Sequence, residues 1–214
     1  MNMEKAISND HEFIAQVIRA LPKHMGHDVK QGWIENPRAL AKALSEALCP
    51  PLECDYGFPF LGTIRLGSHL SVDELYRSIV GQKDKIDTIA NDMLTRTSLS
   101  PITDCDVILL NASVFELTGK KRATNREVKE SIRAKGYEIC PAEVGPQLRR
   151  QYRNQPKGEW LNIAMDPMFD KDGSLFIYSV ACCAGEYWLR SSGGGDEHYW
   201  NGEDRFVFIP RVCK

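Results

Sequence analysis

No stretch of this 214-residue sequence approaches the roughly 18 consecutive apolar residues that a membrane-spanning helix requires. The opening residues, MNMEKAISNDHEF, lack the apolar centre of a secretory signal, so a soluble cytoplasmic chain without a signal peptide or a membrane span is expected. Neither sign of charge dominates: 27 Lys and Arg face 29 Asp and Glu for a net charge of -2. Nucleic acid is therefore not an expected partner. Cysteine is present as Cys49, Cys54, Cys105, Cys140, Cys182, Cys183 and Cys213, an odd set with no CxxC spacing. That excludes both a zinc knuckle and a complete disulfide framework as default readings and leaves free thiols in a reducing compartment. His11, His24, His27 and His69 stand apart from any Ser or Cys motif that a base would activate. No catalytic residue, metal ligand or cofactor is expected from such a pattern, and no internal repeat is present.

What the sequence does contain changes character along its length. Residues 9–48 read as helical: Phe13, Ile14, Val17, Ile18 and Leu21 recur at helical spacing behind the caps Asn9 and Asp10, and Pro22 closes that helix. A second helix fits 37–48, with Pro37 in its first turn and Leu40, Leu44 and Leu48 on one stripe. The proline-rich stretch that begins at Cys49 breaks the pattern. It separates a helical N-terminal extension, residues 1–50, from a main domain, residues 51–214. That domain begins with a strand over 61–66, a helix behind the cap Ser71, and a further helix within 83–97.

An apolar strand over 106–114 follows. Thr124 and Glu127 then have the spacing of a capping box and open a helix over 125–135 that Gly136 ends. After a short extended piece at 137–140, a second helix fits 141–152. From Glu159 onward short strands alternate with turn residues: 160–165, 175–180, 187–190 and 205–212. Helices followed by short strands imply an α+β class, two helices packed on a mostly antiparallel sheet.

Three features invite sharper readings. Asp166, Asp170 and Asp172 before Gly173 suggest a calcium loop, but the spacing fails the EF-hand pattern, and Asp172-Gly173 reads better as a hairpin turn. Lys120-Lys-Arg122 and Arg149-Arg150 with Arg153 read as solvated helix ends. Cys182-Cys183 lacks neighbouring metal-ligand partners, and adjacent strand residues point in opposite directions.

Two motifs of the second half resemble the C-type-lectin superfamily, in particular its prokaryotic branch of formylglycine-generating enzymes and the variable proteins of diversity-generating retroelements. Gly136-Tyr-Glu-Ile-Cys-Pro-Ala-Glu-Val-Gly145 is similar to that branch's entry into its second helix. Gly185-Glu-Tyr-Trp-Leu-Arg-Ser-Ser192 followed by Asp204-Arg-Phe-Val-Phe-Ile-Pro-Arg211 is similar to its closing strands. The run CPAEVGPQLRRQYRNQPKGEW resembles a group of small-genome prokaryotic proteins with hypervariable C-termini.

The resemblance implies a C-type-lectin-like fold and a binding protein rather than an enzyme, cytoplasmic or virion-associated, whose partner is an unknown macromolecule, most simply a protein. Such proteins hold diversified side chains on a rigid scaffold, here in a variable region at about 178–204. Adenine-directed diversification of AAC or AAT codons cannot produce Trp, Glu, Lys, Gln or Met. Within 181–202 only Glu186, Trp188, Glu197 and Trp200 break that rule. Trp188 and Trp200 are then fixed supports, each indole NH meeting a backbone acceptor. The ligand-binding set expected is Ala181, Cys182, Cys183, Ala184, Tyr187, Arg190, Ser192, Gly193, Gly195, His198, Tyr199 and Asn201. Two alternatives accompany this reading: a protein-modifying oxidoreductase of formylglycine-generating type acting through Cys182 or Cys183, and a structural subunit of a phage or virus particle. The Glu-Pro-Asn and Trp-Asn-Asp sugar motifs of calcium-dependent lectins are absent.

Overall fold

The computed structural model describes residues 26–36, 56–100 and 105–211. Contacts divide the chain into two units, 1–54 and 55–214. In the first unit one helix is described, α1 (His27–Glu35). It falls in the gap between the two helices expected at 9–21 and 37–48, which lie outside the described residues.

The second unit is α+β. Its helices are α2 (Val72–Gly81), α3 (Thr88–Thr95), α4 (Val114–Thr118), α5 (Asn125–Ala134) and α6 (Val144–Gln151). Its strands are β1 (Phe60–Leu66), β2 (Lys85–Ile86), β3 (Cys105–Ser113), β4 (Arg122–Thr124), β5 (Tyr137–Glu138), β6 (Trp160–Ile163), β7 (Met168–Phe169), β8 (Leu175–Cys183), β9 (Glu186–Gly193), β10 (Tyr199–Asn201) and β11 (Arg205–Pro210). One large curled sheet runs β1-β3-β11-β6-β8-β9-β2, with β5 beside β11 and β7 beside β8, while β10 and β4 form a separate ribbon. Its pairs are antiparallel except β11 with β6 and β2 with β9.

Local chemistry explains the boundaries. Ser71 accepts a hydrogen bond from the Glu74 N–H, and Asp73 and Glu74 favour the positive end of α2. The single helix expected within 83–97 is instead a left-handed residue, Lys83, then β2, then α3 capped by Asp87, whose carboxylate accepts from the Ala90 N–H at 2.7 Å. An Asp followed by an open N–H three residues on is worth more as a cap than as a helix interior. Helix α4 was not expected from the pattern. Ser113 and Glu116 close a capping box at the point where the apolar run of β3 ends. Thr124 and Glu127 form the expected box on α5, and Gly136 beyond it takes a φ of +86°.

Helix α6 positions the sheet. Gly145 lets its backbone pass against β8, because a Cβ there would lie 2.5 Å from that of Tyr178. The helix also seals the sheet's edge. The Gln151 amide accepts from the Arg65 N–H and donates to the Arg65 carbonyl, each at 2.9 Å, and so occupies the place another strand would take beside β1. Glu143, at the start of α6, accepts from the Gly67 and Ser100 N–H groups at 2.9 and 2.6 Å and from Gln147 at 3.0 Å. Burial pushes its carboxyl up, but these hydrogen bonds outweigh that and hold it below its ordinary value. The core between sheet and helices is apolar and fully buried at Leu75, Ile79, Leu109, Leu110, Val128, Ile132, Ile163, Val180, Leu189, Phe206 and Phe208.

Candidate functional site

Strands β8 and β9 form a long hairpin, register Phe176↔Gly193 through Cys183↔Glu186. Both outlast their expected limits of 180 and 190. Ala184 and Gly185 make its turn with φ of +52° and +83°, the left-handed pair that a two-residue hairpin demands. By the alternation of a strand, Tyr187, Leu189 and Ser191 face the helices with Tyr178, Val180 and Cys182. Glu186, Trp188, Arg190 and Ser192 face the other way, above Cys183, Ala181, Ser179 and Ile177.

The outward face is built around Arg190. Its guanidinium lies 4.4 Å from the centroid of Trp188 and 5.3 Å from that of Trp160, which β6 supplies from the opposite side of β8. Ala181 pairs with both tryptophans and Ser179 with Arg190 and Asn162, so two small buried residues floor the span. Lys85 covers Trp188 at 5.2 Å and is held by Glu186 at 2.6 Å. Among the described residues Arg190 has no hydrogen-bond or ion-pair partner, and its Nε is buried. Asn162, 2% exposed, donates to the Arg205 carbonyl at 3.3 Å while its Oδ1 stays unpaired. The Ser192 and Ser179 hydroxyls meet at 3.1 Å.

The loop after β9 is fixed through its backbone. The first N–H groups of α5, at Asn125 and Arg126, donate to the His198 and Asp196 carbonyls. The Asn125 amide donates to the Gly194 carbonyl at 2.7 Å, and buried Lys129 reaches Asp196 at 3.0 Å, which lowers the carboxyl of Asp196. Gly194 N–H bonds Leu175 and Gly202 N–H bonds Lys121. On this frame His198, Tyr199 and Asn201 are exposed. The three consecutive glycines differ: a Cβ at Gly194 would strike the backbone of Phe176, one at Gly193 would meet only the His198 ring, and one at Gly195 would meet nothing. Trp200 is buried against Phe206 and His198, with centroids 5.0 and 4.7 Å away.

On the opposite side of the hairpin the guanidiniums have a counter-charge, although Arg149 Nε and Glu159 Oε2 make no hydrogen bond among the described residues. Arg149, fully buried, lies 3.3 Å from Asp84, donates to Gln155 at 2.6 Å and to the Tyr152 carbonyl at 2.6 Å, and stacks on Tyr187 at 4.5 Å. Arg153 reaches the same Asp84 oxygen at 2.5 Å and lies over the Tyr187 ring, 4.8 Å from its centroid. Burial lowers the pKa of Arg149 and the charge of Asp84 opposes the shift. The expectation that Arg149 is a solvated helix end is corrected, since it is fully buried against Asp84; Arg153 stays exposed and reaches the same carboxylate, 69 residues away in sequence, from the surface.

The expected site residues therefore divide. Arg190 and Ser192 lie on the outward face, Cys183 and Ala184 at its hairpin end, and Gly193, Gly195, His198, Tyr199 and Asn201 on the loop. Ala181 and Cys182 are buried, 0% and 3% exposed, and Tyr187 is held on the helix side with its hydroxyl donating to the Arg153 carbonyl at 2.5 Å. These three are not outward contacts. Trp188 is half-buried rather than a core anchor, and the Trp200 indole NH has no acceptor among the described residues, contrary to expectation. Asp170 spends a carboxylate oxygen on the Asp172 and Ser174 N–H groups in the turn between β7 and β8. Trp160, Lys85 and Asn162 belong to the face but lie outside the sequence window. The alternation Trp160-Leu-Asn162-Ile, with the apolar pair inward, is the signal that marks them.

No protein-family model, curated protein or solved structure matches this chain.

Proposed function

We propose that this chain is a non-enzymatic binding protein of C-type-lectin-like fold, the variable protein of a diversity-generating retroelement, which presents exchangeable side chains to a macromolecular ligand. The observation that carries the reading is the separation of backbone from side chain at residues 194–202. The path of the loop is held by main-chain hydrogen bonds and by Asn125 and Lys129, while the side chains of His198, Tyr199 and Asn201 carry none of that support. A surface fixed in this way tolerates new side chains without losing its shape, and a preformed surface loses less entropy on binding.

The contact set that fits this reading is Cys183, Ala184, Arg190, Ser192, Gly195, His198, Tyr199 and Asn201, with Gly193 exchangeable when His198 moves with it. The experiment is to sequence the locus that encodes the chain. A neighbouring reverse transcriptase and a template repeat differing at adenines in these codons are expected; a locus with neither removes the reading.

A further inference from the structure

Arg190 is a cation prepared for an anion that the chain itself does not supply. The guanidinium is flanked by two indoles at 4.4 and 5.3 Å, which fixes its plane and strips water from its faces. Its Nε is buried and unpaired, and Nη1 and Nη2 have no partner among the described residues and are not buried. On the same face, across Ser179 of β8, Asn162 is 2% exposed and leaves Oδ1 without a donor, an acceptor that an N–H of the ligand, not its carboxylate, would fill. Other cations near the hairpin are matched: Lys85 by Glu186, Arg149 and Arg153 by Asp84.

We propose that Arg190, gripped by Trp160 and Trp188, is a receptor for a carboxylate carried by an acidic segment of a protein partner. This deepens the binding function proposed above and rests on it. A guanidinium presents two parallel N–H donors that match a carboxylate's two oxygens. A phosphate dianion would seek a second free cation, and here Glu186 stands at the rim with Lys85 already bound to it. Nucleic-acid bases would need a run of open indole faces, and Trp188 is covered by both Lys85 and Arg190, which leaves only part of Trp160 open. Trp160, 40% exposed, offers apolar area to a residue beside the acid.

The probe is a random heptapeptide phage library panned on the full chain, followed by affinity measurement on the synthetic peptides selected. Selected peptides are expected to carry Asp or Glu at a constant position next to an apolar residue. Changing that residue to Asn or Gln is expected to weaken binding to the unaltered protein by about tenfold or more, the scale of a charge-assisted pair. Arg190→Lys is expected to weaken it similarly with an unchanged melting temperature, while Lys120→Gln leaves it intact. No enrichment, enrichment without an acid, indifference to the amide substitution, or capture of oligonucleotides instead overturns the proposal. A template repeat found without acidic enrichment rejects this receptor alone; acidic enrichment without a repeat keeps the receptor and rejects diversification.

Discussion

Tyr187 and Trp188 are neighbours in sequence, and each has two cations over its ring, yet they stand in opposite circumstances. Behind Tyr187, Arg149 and Arg153 share the carboxylate of Asp84, and the phenol itself is bonded. In front, Arg190 lies on Trp188 and Trp160 with no ion-pair partner among the described residues, the nearby Glu186 being held by Lys85. One strand thus divides a closed electrostatic arrangement from an open one. Closed groups are committed to the fold; open ones are free to meet something else.

The largest effect expected from that contrast is at Asp84. Asp84→Ala leaves two guanidiniums without a counter-charge, one of them fully buried, and should destabilise the chain by about 3–5 kcal/mol in urea unfolding. A loss below about 1 kcal/mol would mean the two sides are not different in kind.

Gly145→Ala comes next. A methyl group within 2.5–2.7 Å of three Tyr178 atoms must push α6 off β8, at roughly 1–3 kcal/mol. Thermal unfolding measures it, and the outward face should keep its binding as far as the protein folds.

Acid sharpens the contrast from the closed side. The Glu143 carboxyl sits below its ordinary value, so its contribution is complete above the usual Glu pKa of about 4.3 and is lost as pH falls through the folded value. Glu143→Gln should flatten the fall in melting temperature on going from neutral pH to acid. An unchanged slope would show that Glu143 is not the group responsible.

At the hairpin turn the expected change has the other sign. Ala184 holds a left-handed conformation that Asn adopts more readily, so Ala184→Asn should stabilise by roughly 0.5–1 kcal/mol in the same unfolding measurement. The smallest effect belongs to the open side: Arg190→Met should move stability by no more than about 1 kcal/mol, since no ion pair is broken.

Much of the frame was legible in the sequence because its signals are local. The caps Ser71 and Thr124, the boundary at Gly136, the strand periods and the Asp170–Ser174 turn each depend on a few adjacent residues. What escaped depends on distance. Arg149 reads as a surface charge until the turn before β2 brings Asp84 against it, and Ala181 and Cys182 read as exposed until β6 is laid beside β8. Trp160 entered the site for the same reason, through a register with Ala181 that no window around 181–202 contains. Helix α4 was missed because Val114 continues the apolar run of β3, and only the Ser113–Glu116 box stops it.

A binding surface of this kind needs side chains that the fold can exchange, and simultaneous randomisation tests that directly. A library varied at Cys183, Arg190, Ser192, Gly195, His198, Tyr199 and Asn201 should remain largely folded, judged by protease resistance of displayed clones, with melting temperatures clustered near that of the parent. A matched library varied at Ala181, Cys182, Tyr187, Asp196 and Trp200 should be largely unfolded. If the first library collapses as the second does, the outward face is part of the structural core and the binding account is wrong.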